Sequence, residues 1–348
     1  MILVLQRMTS NANVIKFFRR VLRFVVPLGA FAFLVYSLLQ LPAEVFVLWK
    51  DNLIWSPAIT ALFSLLIILS FFNWSLEAVK WKMLSGKLEQ VSFRMSLYGV
   101  LYGVTLGMVT PKRYGEFLGR TMILIPANRI RGMVINVAGS LSQLSITMVF
   151  GLLAVVAAIM LANPDSTFFD GHLLFQNPAF AIALVGLILV MAALFGARPV
   201  GRKINNHLSA PRWLKPFAIF HELKPIEMIS LIGWSFLRYL IFIIQFYVFL
   251  VIFHVPVDLA TAFLLLAISY LFLSPLPISA VVEAGVRGSV VLVVFELFFS
   301  RMSGIIPGVE ISLVASMLGL WLVNLALPAM AGALLGVSGK ISGIKDKA

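Results

Sequence analysis

The apolar residues of this chain come in long blocks, not in alternation. Six blocks reach or exceed the roughly 20 residues a helix needs to cross the ~30 Å hydrocarbon core of a bilayer. They lie at about 21–41, 57–79, 132–161, 178–197, 228–253 and 310–336. No period-two pattern of the barrel type runs through them. Four shorter apolar pieces remain, at about 95–110, 115–126, 259–275 and 286–300, and they form two adjacent pairs. Pro111 and its charged neighbours divide the first pair, and Pro275 and Pro277 divide the second.

Positive charge sorts the connections between blocks. The N-terminal arm, up to the start of the first block, holds five cations, Arg7, Lys16, Arg19, Arg20 and Arg23. Lys80, Lys82, Lys87 and Arg94 follow the second, and Arg129 and Arg131 precede the third. Residues 198–224 hold six more, and Lys340, Lys345 and Lys347 close the tail. Excess Lys and Arg mark cytoplasmic segments. The opposite connections, 42–56, 162–177, 254–258 and 301–309, hold only Lys50 and Arg301 as cations. Both termini are therefore expected in the cytoplasm, with the protein integral to the plasma (inner) membrane.

The same sorting bears on the short pairs. Basic residues flank the first pair on both sides, so it is expected to enter and leave the membrane on one face. The second pair does so from the other face. The predicted fold is all-α: a polytopic helical membrane protein of about six full spans plus two opposed re-entrant hairpins, in an inverted repeat. A second arrangement makes every short piece a full span and puts Lys112 and Arg113 outside. In the hairpin arrangement residues 1–348 form a single integral membrane domain. Its first repeat is about 21–161, its second about 178–336, and 198–227 is a cytoplasmic, surface-lying amphipathic loop. Inverted repeats with interrupted helices are a recurring transporter design, and the interruptions point to the binding site.

Composition agrees. The chain of 348 residues is 61% hydrophobic and 12% charged, about half the charged share of a soluble domain. Its mean hydropathy is +1.02. The absence of cysteine excludes disulfides, thiolate metal sites and Cys nucleophiles. The net charge of +13 fits topology and attraction to anionic lipid, so no nucleic-acid partner is expected. The stretch 21–41 is too long for a signal-peptide core and is expected to be a retained span.

Candidate chemistry gathers at the two breaks. Pro111 should end a helix at Thr110. Gly115 permits close backbone approach, and a new helix starting near Tyr114 would hold Glu116 in its first turn. Glu116 and Arg120 are four apart and share a helix face. Glu283 and Arg287 repeat that spacing beside Gly285, after Pro275 and Pro277. Charges inside a membrane are costly and usually face a cavity, and helix starts suit anions. Arg120 and Arg287, helped by Lys112 and Arg113, are therefore expected to hold a lipid phosphate. Glu116 and Glu283 would orient those arginines or meet a cationic headgroup group. The plainer reading makes these charges interface anchors. Glu77 with Lys80 reads as an interfacial pair, and Arg238 as a residue reaching the cytoplasmic surface.

No histidine stands at metal-ligand spacing, no aspartate falls within a span, and no phosphate loop or H-E-x-x-H motif occurs. No metal, cofactor or catalytic set is expected.

These residues resemble a known family. The chain is similar to the transmembrane region of bacterial lysylphosphatidylglycerol synthases and to the stand-alone flippase-like integral membrane proteins related to it. The resemblance rests on Pro111, Gly115, Glu116 and Arg120 as a Pro-x-x-x-Gly-Glu segment followed by a basic residue. It also rests on "EAVKWKML" at 77–84 and on "SPLPISAVVEAGVRG" at 274–288. It covers roughly residues 15–340. The second motif departs from the family pattern: Gly288 stands where an acid is expected, Glu283 lies before the arginine, and Ala280-Val281 replaces a Gly-Gly pair. The aminoacyl-transferring domain of the full synthases has no counterpart in these residues. The resemblance thus implies translocation or binding of a lipid, not its aminoacylation. The expected partner is membrane lipid, anionic phospholipid above all, with a homo-oligomer or a partner enzyme as further candidates. The alternative function is a lipid-binding or scaffold subunit that assists a separate lipid-modifying enzyme.

Overall fold

The computed structural model describes residues 56–108, 110, 113–161, 178–207, 211–274, 280–302 and 309–337, with Ala43, Val47 and Lys50. Side chains at 159–161, 178–180, 280–287 and 301–302 lie outside that description. So do the expected first span at 21–41 and four of the expected break and site residues, Pro111, Lys112, Pro275 and Pro277.

The described residues are all-α. Ten α-helices follow in order: α1 (Pro57–Ser85), α2 (Phe93–Met108), α3 (Tyr114–Thr121), α4 (Arg129–Leu161), α5 (Pro178–Asn206), α6 (Pro225–Ile252), α7 (Leu259–Leu273), α8 (Ala280–Met302), α9 (Val309–Trp321) and α10 (Leu327–Val337). A π-helical turn at Leu322–Ala326 joins α9 to α10. Among the described residues five segments are long and apolar enough to cross a membrane, namely α1, α4, α5, α6 and the α9–α10 run. The protein is a polytopic helical membrane protein. At 1.5 Å per residue, α2 and α3 reach only about 24 and 12 Å, so neither crosses a ~30 Å core alone.

Local chemistry sets the starts of these helices. Pro57 stands at the first turn of α1, and the Ser56 hydroxyl accepts from the Ile59 N–H at 3.2 Å. Asp258 caps α7 by accepting from the Ala260 and Thr261 N–H groups. The π turn has a cause in sequence. Pro328 has no N–H to give the Asn324 carbonyl four residues back, and beside it the Leu327 N–H reaches the Leu322 carbonyl rather than that of Val323, which accepts from the Ser70 hydroxyl at 3.0 Å.

The fold-back of α3 along α2 follows from glycine spacing. Gly99, Gly103 and Gly107 recur every fourth residue on α2, and Gly115 and Gly119 do so on α3. A Cβ built on Gly119 would lie 2.5 Å from the Gly103 Cα, and one on Gly103 would lie 2.8 Å from the Glu116 carbonyl oxygen. Only bare backbone allows this approach, the small-residue contact that drives helix pairing in lipid. Thr110 ties the tip: the Gly115 N–H donates to its hydroxyl at 2.8 Å, and that hydroxyl donates to the Leu106 carbonyl at 2.8 Å.

The packing repeats across the two halves. α1 meets α4 as α6 meets α9, and α3 meets α4 as α8 meets α9. α4 packs on α7, the first arm of the second short pair, and α10 packs on α2, the first arm of the first pair.

Two expectations change. Residues 198–227 are not simply a loop. α5 runs through Pro199 to Asn206, and a 3-10 turn at Lys215–Glu222 buries Ile219 and Phe220. Gly201 lies against the Phe220–His221 backbone, so this basic end is docked on the bundle. Gly285 is not a break either: α8 begins at Ala280 and carries Glu283, Gly285 and Arg287 within its first turns. The chain there holds no proline after Pro277 to interrupt helical hydrogen bonding.

Among the described residues two large apolar cores form, one around α2, α10 and the 3-10 turn, the other around α7, α8 and α9, with a small third cluster of Met148, Leu152 and Leu271. α1, α4 and α6 contribute to both. Between the two cores these three helices carry polar residues.

Candidate functional site

The polar layer is built from stripes at helical spacing. On α1 it is Ser70, Asn73, Glu77 and Lys80; on α4, Asn136, Gly139, Ser142 and Gln143; on α6, Ser235, Arg238 and Gln245. Glu77, Lys80 and Arg238 are exposed by 4, 1 and 8%. They lie about 7–20 Å along their helices from Ser85 and Pro225, and they are buried inside the bundle. The expected pair of Glu77 and Lys80 is present at 3.4 Å, but it faces the bundle interior, and Arg238 is turned inward and does not reach the surface. The helices continue past them in both directions, and their partners are internal.

Glu77 is the hub. One of its carboxylate oxygens accepts from Arg120 Nη1, and the other accepts from Arg238 Nη1. Lys80 Nζ lies 3.4 Å from that second oxygen. Lys80 also donates to the Gly139 carbonyl at 3.0 Å and to Ser235 Oγ at 2.9 Å. Arg238 Nε donates to Asn73 Oδ1 at 2.9 Å. Asn73 donates on to Asn324 in the π turn, and Asn324 donates to Gln245 at 3.0 Å. One carboxylate thus couples α1, α3 and α6, and amide side chains extend the network to the α9–α10 run. A carboxylate removed from water needs this much compensation.

The expected pair of Glu116 and Arg120 forms. Arg120 Nη2 donates to Glu116 Oε1, and Arg113 Nη2 lies 3.3 Å from Glu116 Oε2. Arg113 holds φ 56° at the start of α3, a left-handed conformation rare outside glycine. Its backbone turns the chain at the hairpin tip, and its side chain enters the cavity wall.

These groups line a cavity of about 500 Å³, a common size for a small-molecule site. Glu77, Lys80, Arg113, Glu116, Arg120 and Arg238 form its charged wall, and Trp74, Phe242, Leu320 and Trp321 part of its apolar wall. Four cations face two carboxylates, a net charge of +2 among these residues. Arg238 lies over the Trp74 and Phe242 rings at 5.7 and 5.8 Å from their centroids. The indole N–H groups of Trp74 and Trp321 and the Tyr239 hydroxyl are buried without a hydrogen-bond partner among the described residues.

Of the residues expected at the site, Arg113, Glu116 and Arg120 come together in this cavity. Gly115 makes the predicted close approach, since a Cβ there would meet the Leu106 carbonyl carbon at 2.6 Å. Glu283 and Arg287 lie in the first turns of α8, and their side chains fall outside the described residues. Sequence reasoning missed Lys80, Glu77 and Arg238 as site residues, together with the amides around them. The signal was there: Asn73, Glu77 and Lys80 fall at steps of four and three on an otherwise apolar helix. Among the described residues no group of His, Asp and Glu is placed to hold a metal ion. No family model, curated protein or solved structure matches the chain.

Proposed function

We propose that this protein moves an anionic phospholipid, or a related phosphate-bearing lipid, between the leaflets of the plasma (inner) membrane. The observation that carries this reading is a cavity with net charge +2 inside an apolar bundle. Uncompensated positive charge in such surroundings is costly, and an anion offsets it. A phosphate is the anion a membrane supplies in quantity. In this reading the headgroup enters between Arg113, Arg120 and Arg238, while the acyl chains stay in the bilayer. The two short helix pairs enter from opposite faces, and one repeat rocks against the other to expose the cavity to each leaflet in turn. Glu77 links Arg120 on the hairpin to Arg238 in the second repeat, so a phosphate competing for those arginines loosens the contact between repeats.

The test is a flipping assay in reconstituted vesicles, using fluorescent phosphatidylglycerol and a membrane-impermeant quencher. Wild-type protein should move label from the inner to the outer leaflet. Arg120→Gln should slow this roughly tenfold or more, the effect of losing one charge-assisted contact of about 1.5–3 kcal/mol. Arg198→Gln, at the exposed basic end of α5, should not. Wild-type vesicles no faster than protein-free ones, across a range of headgroups and pH gradients, would reject the reading.

A further inference from the structure

We infer that the ion pair of Lys87 and Glu227 is a latch: it holds one end of the bundle shut over an apolar plug, and the cavity opens toward that end when the pair parts. This deepens the lipid-translocation reading and rests on it for what the opening serves.

Lys87 belongs to the connection between α1 and α2, in the first repeat, and Glu227 to the first turn of α6, in the second. Lys87 Nζ lies 2.7 Å from Glu227 Oε1. The two partners are anchored in different repeats. The other oxygen of Glu227 accepts from the Lys224 N–H at 2.8 Å, which fixes the carboxylate on its own helix. Beside Lys87, Glu89 accepts from Asn128 Nδ2 at 2.8 Å and from the Ile125 N–H at 3.3 Å, and Asn128 also donates to the Leu88 carbonyl. Leu88 and Glu89 thus tie the connection to the exit of the first hairpin, within its own repeat. Lys87 carries it across to the other. When the repeats separate at this end, the contact of Lys87 with Glu227 is a charged link that must break.

The plug lies directly beneath. Trp81 and Leu84 on α1, Leu223 just before α6, and Met228 and Leu231 on α6 are each no more than 2% exposed and belong to one apolar core. Trp81 and Leu84 occupy the roughly 10 Å of α1 between Lys87 and Lys80, that is, between the latch and the charged wall of the cavity. A phosphate entering from this end must pass that layer, and a charge does not cross apolar packing that stays closed. The strength of the pair suits a latch. Its side chains are 17 and 20% exposed, so water screens the attraction and solvates both groups once they part. A pair of this kind shifts an equilibrium by about fivefold at most. The Glu77 hub, buried among three cations, has no such exchange with water.

The chain has no cysteine, so an introduced thiol reports the opening directly. Leu84→Cys places one in the plug. Leu266→Cys places one in the other core, where Leu266 is equally buried. The purified full chain in detergent is treated with a charged methanethiosulfonate reagent, which reacts where water reaches. Rates are compared in each background with and without Lys87→Glu, which turns the attraction into repulsion and leaves Glu227 capping α6. Labelling at 84 should rise roughly fivefold or more, with 266 unchanged. An unchanged rate at 84 overturns the latch, and so does an equal rise at both positions, which is general loosening. The transport role is read from Lys87→Cys/Glu227→Cys, joined by a bifunctional thiol reagent that a reductant cleaves. Joined protein should flip phosphatidylglycerol roughly tenfold slower or more and recover on cleavage. Joined protein that flips as fast as unjoined protein overturns that role. If the unjoined protein and wild type do not flip lipid either, the translocation reading falls, and labelling at 84 still decides the latch.

Discussion

Replacing Glu77 by glutamine keeps the shape of the side chain and removes its charge. The substitution leaves Arg120, Arg238 and Lys80 without the carboxylate they share. The closest distance to Lys80, 3.4 Å, gives a gross attraction of about 5 kcal/mol at an effective dielectric near 20. Three such attractions do not add, because the cations repel one another and all four groups have lost water. Breaking a buried ion pair by removing one partner costs about 3–5 kcal/mol, and the hub should fall at the upper end. That is a large share of the roughly 5–15 kcal/mol that holds a folded protein. At about 2–4 °C per kcal/mol, the apparent Tm in detergent should drop on the order of 10 °C. Arg238→Gln alone should cost less, since Glu77 keeps Arg120 and Lys80. In the double variant Glu77→Gln/Arg238→Gln one surplus cation is gone, so the two losses should be less than additive. The assay is thermal unfolding of the purified protein, followed by loss of soluble monomer on heating. A Glu77→Gln protein that unfolds within about 2 °C of wild type would refute the assignment of Glu77 as the hub.

Two further outcomes follow from the same geometry. Gly119→Ala puts a Cβ 2.5 Å from the Gly103 backbone, so α2 and α3 must part; Tm should fall clearly, whereas Gly233→Ala, with nothing within 4 Å of its Cβ, should be neutral or slightly stabilising. Pro328→Ala restores the N–H that the Asn324 carbonyl lacks, which favours ordinary helix over the π turn and turns Asn324 away from Asn73 and Gln245; flipping should slow while Tm holds or rises, and unchanged flipping would remove the π turn from the mechanism.

Hydrophobic patterning alone determined the solvent of this protein. Blocks of about 20 apolar residues have one low-energy home, and there every backbone polar group must be satisfied within a helix. The same reading placed the hairpin break at Thr110–Gly115 and the pairing of Glu116 with Arg120, because both depend on residues within one helical turn of each other. The glycine series on α2 and α3 was equally open to inspection. Local signals stopped at the hub. Glu77 and Lys80 lie near the end of an apolar block, where charge is ordinary, and nothing in the sequence around them says that the helix continues to Ser85 beneath the cover of α4 and α6. Their true partners stand far along the chain: Arg120 is 43 residues from Glu77, Arg238 is 161, and Asn324 is 251 residues from Asn73. Only the crossing of α1, α3, α4, α6 and the π turn decides whether such charges are interface anchors or the wall of a cavity. Periodicity reports which face of a helix is polar, and tertiary packing alone reports what that face meets.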